Sequence, residues 1–495
     1  VVGGRDVTCV FHGEDEVLWL RANGYPDVPF PAEVYYAWPK IEGKYEPMTH
    51  QKVSVGFQAA HKRCHNLSEP RTGKTHSILM TLDYLKSIGK IKKAMIFGTL
   101  STIETVWAQS IADTYHNLTY SVVHHATKKK RNEQLSCDVD IYILNHNGVK
   151  TMEAEILKRT DIDMFVWDES DNLCVAGTAM WKSFNKVTTG QNLRVILAGA
   201  TPTGEKPTDA FALSKLVDKT KAPKYFGAFR NETMIQISLF RWIAKSTAKQ
   251  RVHEILQPAI CFLKKDVLKD LPPMSHERIH AELSDEQRRM FKELQKDMAT
   301  EYKGGNLNAI NGADKLAKCI QVCLGAYKTP EGDYQTIDFS PRLEAIRECI
   351  KSASKKILVL VPYTGALRAY YEELKKHYTC EMVDGSTSKD ERARIFTEYQ
   401  TGKDPYILLA HPKVIAHGCE FSVADTTIYA GPIASGRQFI QSLERMNSIK
   451  QDSPMMIYYI TSTNLENQRY DIMTGKKESQ DSVLEMYQSI IDEKV

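Results

Sequence analysis

No run of uncharged apolar residues in this chain is long enough for a bilayer-spanning helix, which takes about 20 consecutive apolar residues. The first residues, Val-Val-Gly-Gly-Arg-Asp, show no basic-then-apolar leader pattern, so a cytoplasmic location away from any membrane is expected. The ten cysteines never fall in a C-x-x-C pair, which argues against a zinc ribbon or a disulfide framework. Cys319 and Cys323 lie one helical turn apart and read as small apolar residues on a buried helix face in a reducing compartment. A large excess of one charge is also missing. A net charge of +4 over 495 residues permits a nucleic-acid partner without demanding one, so any grip on a polyanion has to come from local patches. What remains is ordinary globular composition, 42% hydrophobic and 25% charged. The chain is too long for one core, and at about 150 residues per domain it suggests two to four.

Against that background one segment stands out. Leu67-Ser-Glu-Pro-Arg-Thr-Gly-Lys-Thr75 reads as a phosphate-binding loop opening a helix. Such loops converge backbone N–H groups and a helix N-terminus on a phosphate, while the lysine ammonium reaches the terminal phosphates. Lys74 supplies that charge, and Thr75 offers a hydroxyl to Mg²⁺, a cation that takes hard oxygen ligands. Gly-Lys alone often marks only a turn. The second segment, Val166-Trp-Asp-Glu-Ser-Asp171, raises its standing, because it ends an apolar run with adjacent carboxylates about where a second nucleotide motif belongs. Asp168 is placed to hold the metal and Glu169 to polarise the water that attacks the γ-phosphate. The plain alternative is a strand ending in an acidic turn.

Short apolar runs at Ala94–Thr99, Ile141–Asn145, Met164–Asp168 and Val195–Ala200 alternate with helical-period stretches, a pattern of parallel sheet flanked by helices. It restarts after Pro341, with strands expected at Ile357–Pro362, Tyr406–Ala410, Thr427–Tyr429 and Met456–Ile460. Between the two, strand signals fade and helical patterns dominate, notably Ser284–Tyr302, where Ser284 precedes an acidic first turn as a cap does. A last helix is expected over Ser482–Glu493.

In this order the segments resemble superfamily 2 helicases and translocases. Thr49-His-Gln51 is similar to the adenine-reading glutamine motif, Leu100-Ser-Thr102 to motif Ia, and Gly199-Ala-Thr-Pro202 to motif III. Phe262-Leu-Lys-Lys-Asp-Val-Leu-Lys-Asp-Leu-Pro-Pro273, followed by Glu282-Leu-Ser-Asp-Glu-Gln287, resembles the Swi/Snf-type branch. Val383-Asp-Gly-Ser-Thr387 with Glu391-Arg392, His417-Gly418 with Ala424-Asp425, and Gln441-Ser-Leu-Glu-Arg445 through Gln451 resemble motifs IV to VI. With no recognisable accessory reader domain, the pattern is most similar to compact phage-encoded members.

The resemblance implies an α/β fold: two RecA-like parallel-sheet lobes with a helical insertion between them and a small N-terminal extension. The expected organisation is residues 1–45 as that extension, 46–205 as the ATP-binding lobe, 206–340 as the helical insertion and linker, 341–465 as the second lobe, and 466–495 as a C-terminal helix. It implies an ATP- and Mg²⁺-using, nucleic-acid-dependent ATPase that acts on DNA, duplex or branched, as a monomer and away from membranes. Nucleotide contacts are carried over to Gln51, Arg71, Thr72, Gly73, Lys74, Thr75, Gln441 and Arg445. Lys74, Asp168, Glu169 and Arg445 are the catalytic set, and Thr75 and Asp168 the Mg²⁺ ligands. Backbone contacts to nucleic acid fall on Ser101, Thr102, Gly385, Thr387 and His411. Coupling between the two sites falls on Thr201, Gly418 and Asp425.

The pattern departs from the family at two places. Arg71 stands where most relatives carry glycine, a residue used there because it tolerates unusual backbone and close phosphate approach. In motif VI only Arg445 is present, and Ser448 occupies the place of a second arginine, so one source of transition-state charge is missing. Arg437 and Lys450 are possible substitutes. Lys128-Lys-Lys-Arg131 reads as a solvated helix start ahead of a grip on DNA. Trp107 reads as core, and the adjacent His124 and His125 point to opposite sides of a strand, the wrong arrangement for a shared metal.

Overall fold

The computed structural model describes residues 10–40, 46–190, 192–200, 206–237, 242–269, 271–303, 309–329, 332–415, 420–433, 435–447 and 450–475, with backbone only for 299–303 and 309–313. The chain divides into two compact units, Val1–Lys269 and Asp270–Val495.

The first unit contains β1 (Arg63–Asn66), β2 (Lys93–Gly98), β3 (Tyr120–Val122), β4 (Ile141–Asn145), β5 (Ile162–Trp167), β6 (Arg194–Ala198), β7 (Met234–Gln236), β8 (Trp242–Ala244) and β9 (Ala259–Ile260). Seven of these form one sheet in the order β3-β4-β2-β5-β6-β1-β9, parallel at every pairing. β7 and β8 make a separate antiparallel hairpin. The central strands are continuous apolar runs because helices cover both faces of a parallel sheet. Their side chains alternate strictly between two cores. Met95, Phe97, Phe165, Trp167, Val195 and Leu197 enter one, and Ala94, Ile96, Met164, Val166, Ile196 and Ala198 the other. Full burial of each larger aliphatic or aromatic side chain is worth about 1.5–3 kcal/mol.

The N-terminal segment belongs to this unit. Phe30 packs on Gly56 so closely that an added Cβ there would sit 2.7 Å from the phenylalanine Cβ. The Tyr36 hydroxyl donates to Asp83 at 2.6 Å. Because all strands of the sheet are parallel, their carboxyl ends open on one edge, where open α/β sheets take their ligands.

The second unit contains β10 (Met274–His280), β11 (Ala326–Lys328), β12 (Tyr334–Thr336), β13 (Lys356–Leu360), β14 (Cys380–Val383), β15 (Ile407–Ala410), β16 (Ala424–Tyr429) and β17 (Met455–Thr461). Its six-stranded sheet runs β10-β17-β16-β13-β15-β14, again parallel throughout, and β11–β12 form a hairpin. Residues 206–340, expected as one helical insertion, divide between the units. The part up to Lys269 supplies β9 and the β7–β8 hairpin to the first. The part from Asp270 supplies β10 to the second, and Phe291, Met298, Leu316, Cys319 and Cys323 of the two long helices enter its core. β10 carries no apolar run because it is an edge strand, with Ser275, His276, Glu277 and His280 exposed.

Ser284 caps the helix Asp285–Lys303. Its Oγ accepts the Gln287 N–H at 3.2 Å, and its own N–H donates to Gln287 Oε1 at 3.0 Å, a reciprocal pair that satisfies two otherwise orphaned donors. At the heart of the unit Arg342 and Glu466 are both fully buried and paired at 2.9 Å. The helix Asn464–Met473 brings Glu466 there. The helix expected over Ser482–Glu493 lies outside the described residues.

Candidate nucleotide site

The loop between β1 and the helix Lys74–Ser87 holds two left-handed residues. Gly73, at φ 80°, is the last residue before the helix, and a Cβ there would fall 1.9 Å from Gln51 Nε2. Glycine is required at that position on both counts. Arg71 is left-handed too, at φ 67°. The loop thus keeps the backbone a glycine would adopt while carrying a side chain, at a cost of roughly 1–2 kcal/mol. Gln51 Nε2 lies 3.4 Å from the Gly73 carbonyl, and the neighbouring His50 donates from Nε2 to the Thr72 carbonyl at 2.8 Å. The helix Thr49–Ala60 therefore presses its first turn against the loop. Thr72 is buried, and Thr75 is half-buried in the first turn of its helix.

Lys74 folds back on the loop's own carbonyls, donating to Ser68 O at 2.6 Å and Glu69 O at 3.0 Å. Burial lowers its pKa to about 8, against the opposing pull of Asp168, Cys261, Glu69 and Glu169. Asp168 and Glu169 follow β5 directly. Burial and the adjacent Glu169 raise the Asp168 carboxyl to about 6, while Lys74 and a hydrogen bond from Trp107 oppose the rise. Glu169 is left-handed at φ 53°, an uncommon backbone for a non-glycine residue that often marks a functional site.

Several residues around this centre escaped the sequence analysis. Trp107 is core, as expected, yet its Nε1–H donates to Asp168 Oδ2 at 3.2 Å. His146, just past β4, donates from Nε2 to the Asp168 carbonyl at 2.9 Å and accepts from Asn172 on Nδ1 at 3.2 Å. Its ring stacks on Trp167 at 4.7 Å. Lys264, from the segment after β9, is also buried beside the loop. Burial lowers its pKa to about 7, with Glu69 opposing and Arg71 and Lys74 reinforcing the drop. Tertiary structure brings these residues in: Lys264 sits in the Phe262–Pro273 string, but nothing local ties it, Trp107 or His146 to this centre.

Ser101 and Thr102 follow β2. Thr99 Oγ1 joins both hydroxyls, at 3.1 and 2.9 Å, so the hydroxyl groups cluster at one strand end. Lys128 of the basic run pairs with Glu155 at 2.8 Å. Gly199 follows β6, and a Cβ on it would meet Ser170 Oγ at 2.6 Å. Thr201 lies outside the described residues.

In the second unit Gly385, Thr387 and His411 stand at the carboxyl ends of β14 and β15. The Asp384 carboxylate shapes their loop by accepting the Ser386 N–H at 2.8 Å, and Thr387 Oγ1 accepts the Asp384 N–H at 3.0 Å. The His411 N–H donates to the Val383 carbonyl at 3.0 Å. Asp425 lies at the opposite, amino-terminal end of the sheet. There its carboxylate accepts the N–H groups of Ser354 and Lys355 at 3.2 and 3.0 Å and ties down the turn before β13. Gln441 and Arg445 are half-buried on and just past the helix Gly436–Leu443, and the Arg445 carbonyl accepts the Phe421 N–H at 2.8 Å. Gly418, Ser448 and the Arg437 side chain lie outside the described residues.

The oxygen donors beside the loop suit Mg²⁺, which binds through one or two protein oxygens together with substrate phosphates and water. The raised pKa of Asp168 next to Glu169 marks a pair of carboxylates that a divalent cation relieves. Among the described residues no group of three or more His, Cys, Asp or Glu side chains could cage a metal.

Comparison with known proteins places the SNF2-related domain over residues 64–331 and the helicase conserved C-terminal domain over residues 341–450. The CHD3-type chromatin-remodeling factor PICKLE of Arabidopsis thaliana is 23% identical over 381 residues, covering 71% of this chain and 26% of its own length. The Drosophila melanogaster SWI/SNF-related matrix-associated actin-dependent regulator of chromatin subfamily A-like protein 1 is 21% identical over 475 residues, covering 92% of this chain and 59% of its own length. The chain therefore spans about a quarter of the first relative's length and under two thirds of the second's. Among solved structures, the Sulfolobus solfataricus SWI2/SNF2 ATPase core in complex with dsDNA aligns with TM-score 0.43 and 17% identity, over 90% of this chain and 94% of that one.

Proposed function

The chain belongs to the SNF2-related domain family, and from that premise we propose that it is a DNA-dependent ATPase that couples ATP hydrolysis to movement along DNA. The observation that carries this reading is the Lys74 ammonium held at the head of a helix within the electrostatic reach of Asp168 and Glu169. A cation beside two carboxylates, at the carboxyl edge of a parallel sheet, is what phosphoryl transfer needs.

Lys74 exchanges its two loop carbonyls for the terminal phosphates. Thr75 and Asp168 would hold Mg²⁺, which would neutralise charge on the phosphate oxygens. Glu169 orients and polarises the attacking water, and Trp107 and His146 hold the acidic turn in place. Gln51, wedged against Gly73, is set to read the base, and Arg71 and Thr72 complete the loop. Gln441 and Arg445 are assigned to the nucleotide phosphates by the same family pattern. A motor has to move over any sequence, so it grips phosphates and not base edges. Ser101, Thr102, Gly385, Thr387 and His411 offer hydroxyls, a ring nitrogen and exposed backbone for that purpose. Thr201, Gly418 and Asp425 take the coupling roles, Asp425 by fixing the start of its sheet.

Within this reading the chain acts as a monomer in the cytoplasm, on replication, recombination or branch-migration intermediates of a phage-like system. ATPase assays with duplex DNA, single-stranded DNA and RNA test it: stimulation by duplex DNA is expected, and stimulation by none of the three points to a DNA-binding scaffold. A strand-displacement assay run beside triplex displacement separates unwinding from tracking on intact duplex.

The two shifted pKa values define a pH window. Phosphate favours the charged form of Lys74, so nucleotide affinity should hold below about 8 and fall up to tenfold per unit above it. Mg²⁺ favours ionised Asp168, so its affinity should hold above about 6 and fall similarly below it. Titration of MgADP from pH 5 to 9.5 checks both limbs, and a flat profile contradicts the assignment.

A further inference from the structure

The phosphate loop is laced to a segment of chain some 195 residues later. The Leu67 N–H donates to the Ile260 carbonyl at 2.7 Å, and the Glu69 N–H to the Phe262 carbonyl at 2.9 Å. The Phe262 N–H returns to Ser68 Oγ at 3.2 Å. The last rung is charged and short: the Lys264 N–H donates to Glu69 Oε2 at 2.6 Å. Beyond it the backbone bonds run within the segment, Asp266 N–H to Leu263 O at 3.1 Å and Leu268 N–H to Lys264 O at 2.7 Å.

Ser68 and Glu69 also hold Lys74 through their carbonyls. The same two residues therefore face the phosphate position on one side and this segment on the other. We propose that Glu69 is a positioning residue that reports phosphate occupancy of the loop to residues 262–268, the stretch of chain that leads into the second unit. This deepens the proposed function and rests on it.

The physics is electrostatic. While Lys74 lies on the Glu69 carbonyl, its charge draws on the Glu69 carboxylate and weakens that group as an acceptor. When a nucleotide phosphate takes the ammonium and adds negative charge on the loop side, the carboxylate turns its full acceptor strength on the Lys264 N–H. The turn Lys264–Val267 is then held more tightly.

Amide hydrogen exchange on the full chain, with and without MgADP, tests this, with nucleotide binding measured separately by calorimetric titration. In the wild type, MgADP should slow exchange of the 264–268 amides by about tenfold. Glu69→Gln keeps an acceptor but removes the charge, and at saturating MgADP it should lose that slowing. Lys264→Pro removes the donor at the first position of a helical turn, where proline is tolerated. It should lose the response at 265–268, and Lys264→Ala, which keeps the N–H, should retain it. The inference is overturned if wild-type chain binds MgADP with no change at 264–268, or if Glu69→Gln responds in full. If MgADP does not bind the wild type at all, the nucleotide reading itself falls and takes this inference with it.

Discussion

Alanine at Lys74 is expected to lower DNA-stimulated ATP hydrolysis by about 10²–10³-fold, the usual loss when one preorganised electrostatic group leaves a transition-state site. Two effects add. The γ-phosphate loses its point charge, and the loop loses the ammonium that gathers the Ser68 and Glu69 carbonyls. Lys74→Arg should recover little, because a planar guanidinium cannot replace a compact ammonium in so confined a place. Both variants should unfold within a few degrees of the parent, since the site lies at a sheet edge. The measurement is steady-state turnover at saturating duplex DNA. Unchanged turnover in Lys74→Ala would remove the loop from the mechanism.

The largest stability effect is expected at Arg342 in the second unit. Its guanidinium donates to the Ala430 carbonyl at 2.6 Å, to Ser462 Oγ at 2.6 Å and to Glu466 at 2.9 Å, with neither ion reached by solvent. Burial works hardest against the charge, but Glu466, with Tyr370 and Cys323 adding to it, more than offsets that and holds the arginine pKa above its usual value. Arg342→Met should cost the unit about 3–5 kcal/mol, because it strands a buried carboxylate. The paired change Arg342→Met with Glu466→Leu removes both charges and should lie closer to the parent than either single substitution. Urea unfolding followed by a probe in residues 270–475 measures this, and additive single-mutant losses would contradict the pairing.

The legible parts of the fold are those buried on both sides. β2, β4, β5 and β6 in one unit, and β13, β15, β16 and β17 in the other, show as apolar runs because each meets a core on either face. The missed strands lie at edges or carry polar residues. β3 and β14 are edge strands. β1 reads Arg-Cys-His-Asn, and its polarity hides a strand whose last three residues are fully buried. β9 spans only Ala259–Ile260 and forms because β1 is beside it.

The site divides in the same way. Gln51, Lys74, Asp168 and Glu169 sit in short motifs whose local chemistry is visible. Trp107 comes from the helical segment Ile103–Ala108, His146 from the residue after β4 and Lys264 from the turn Lys264–Val267, and all three neighbour the centre only after folding. Arg71 was legible as an anomaly, and its left-handed backbone shows how the loop accommodates it.

The lacing of β9 to β1 has a consequence for biosynthesis. The partner of Glu69 is encoded 195 positions downstream, which at 5–20 residues per second is about 10–40 s of translation. During that interval β1 is an open sheet edge, and the nascent loop has no Phe262 or Lys264 to lean on. Newly made chain therefore acquires a finished phosphate cradle only after the ribosome has passed the first unit's last strand, and truncations ending before residue 258 should emerge with that edge uncovered.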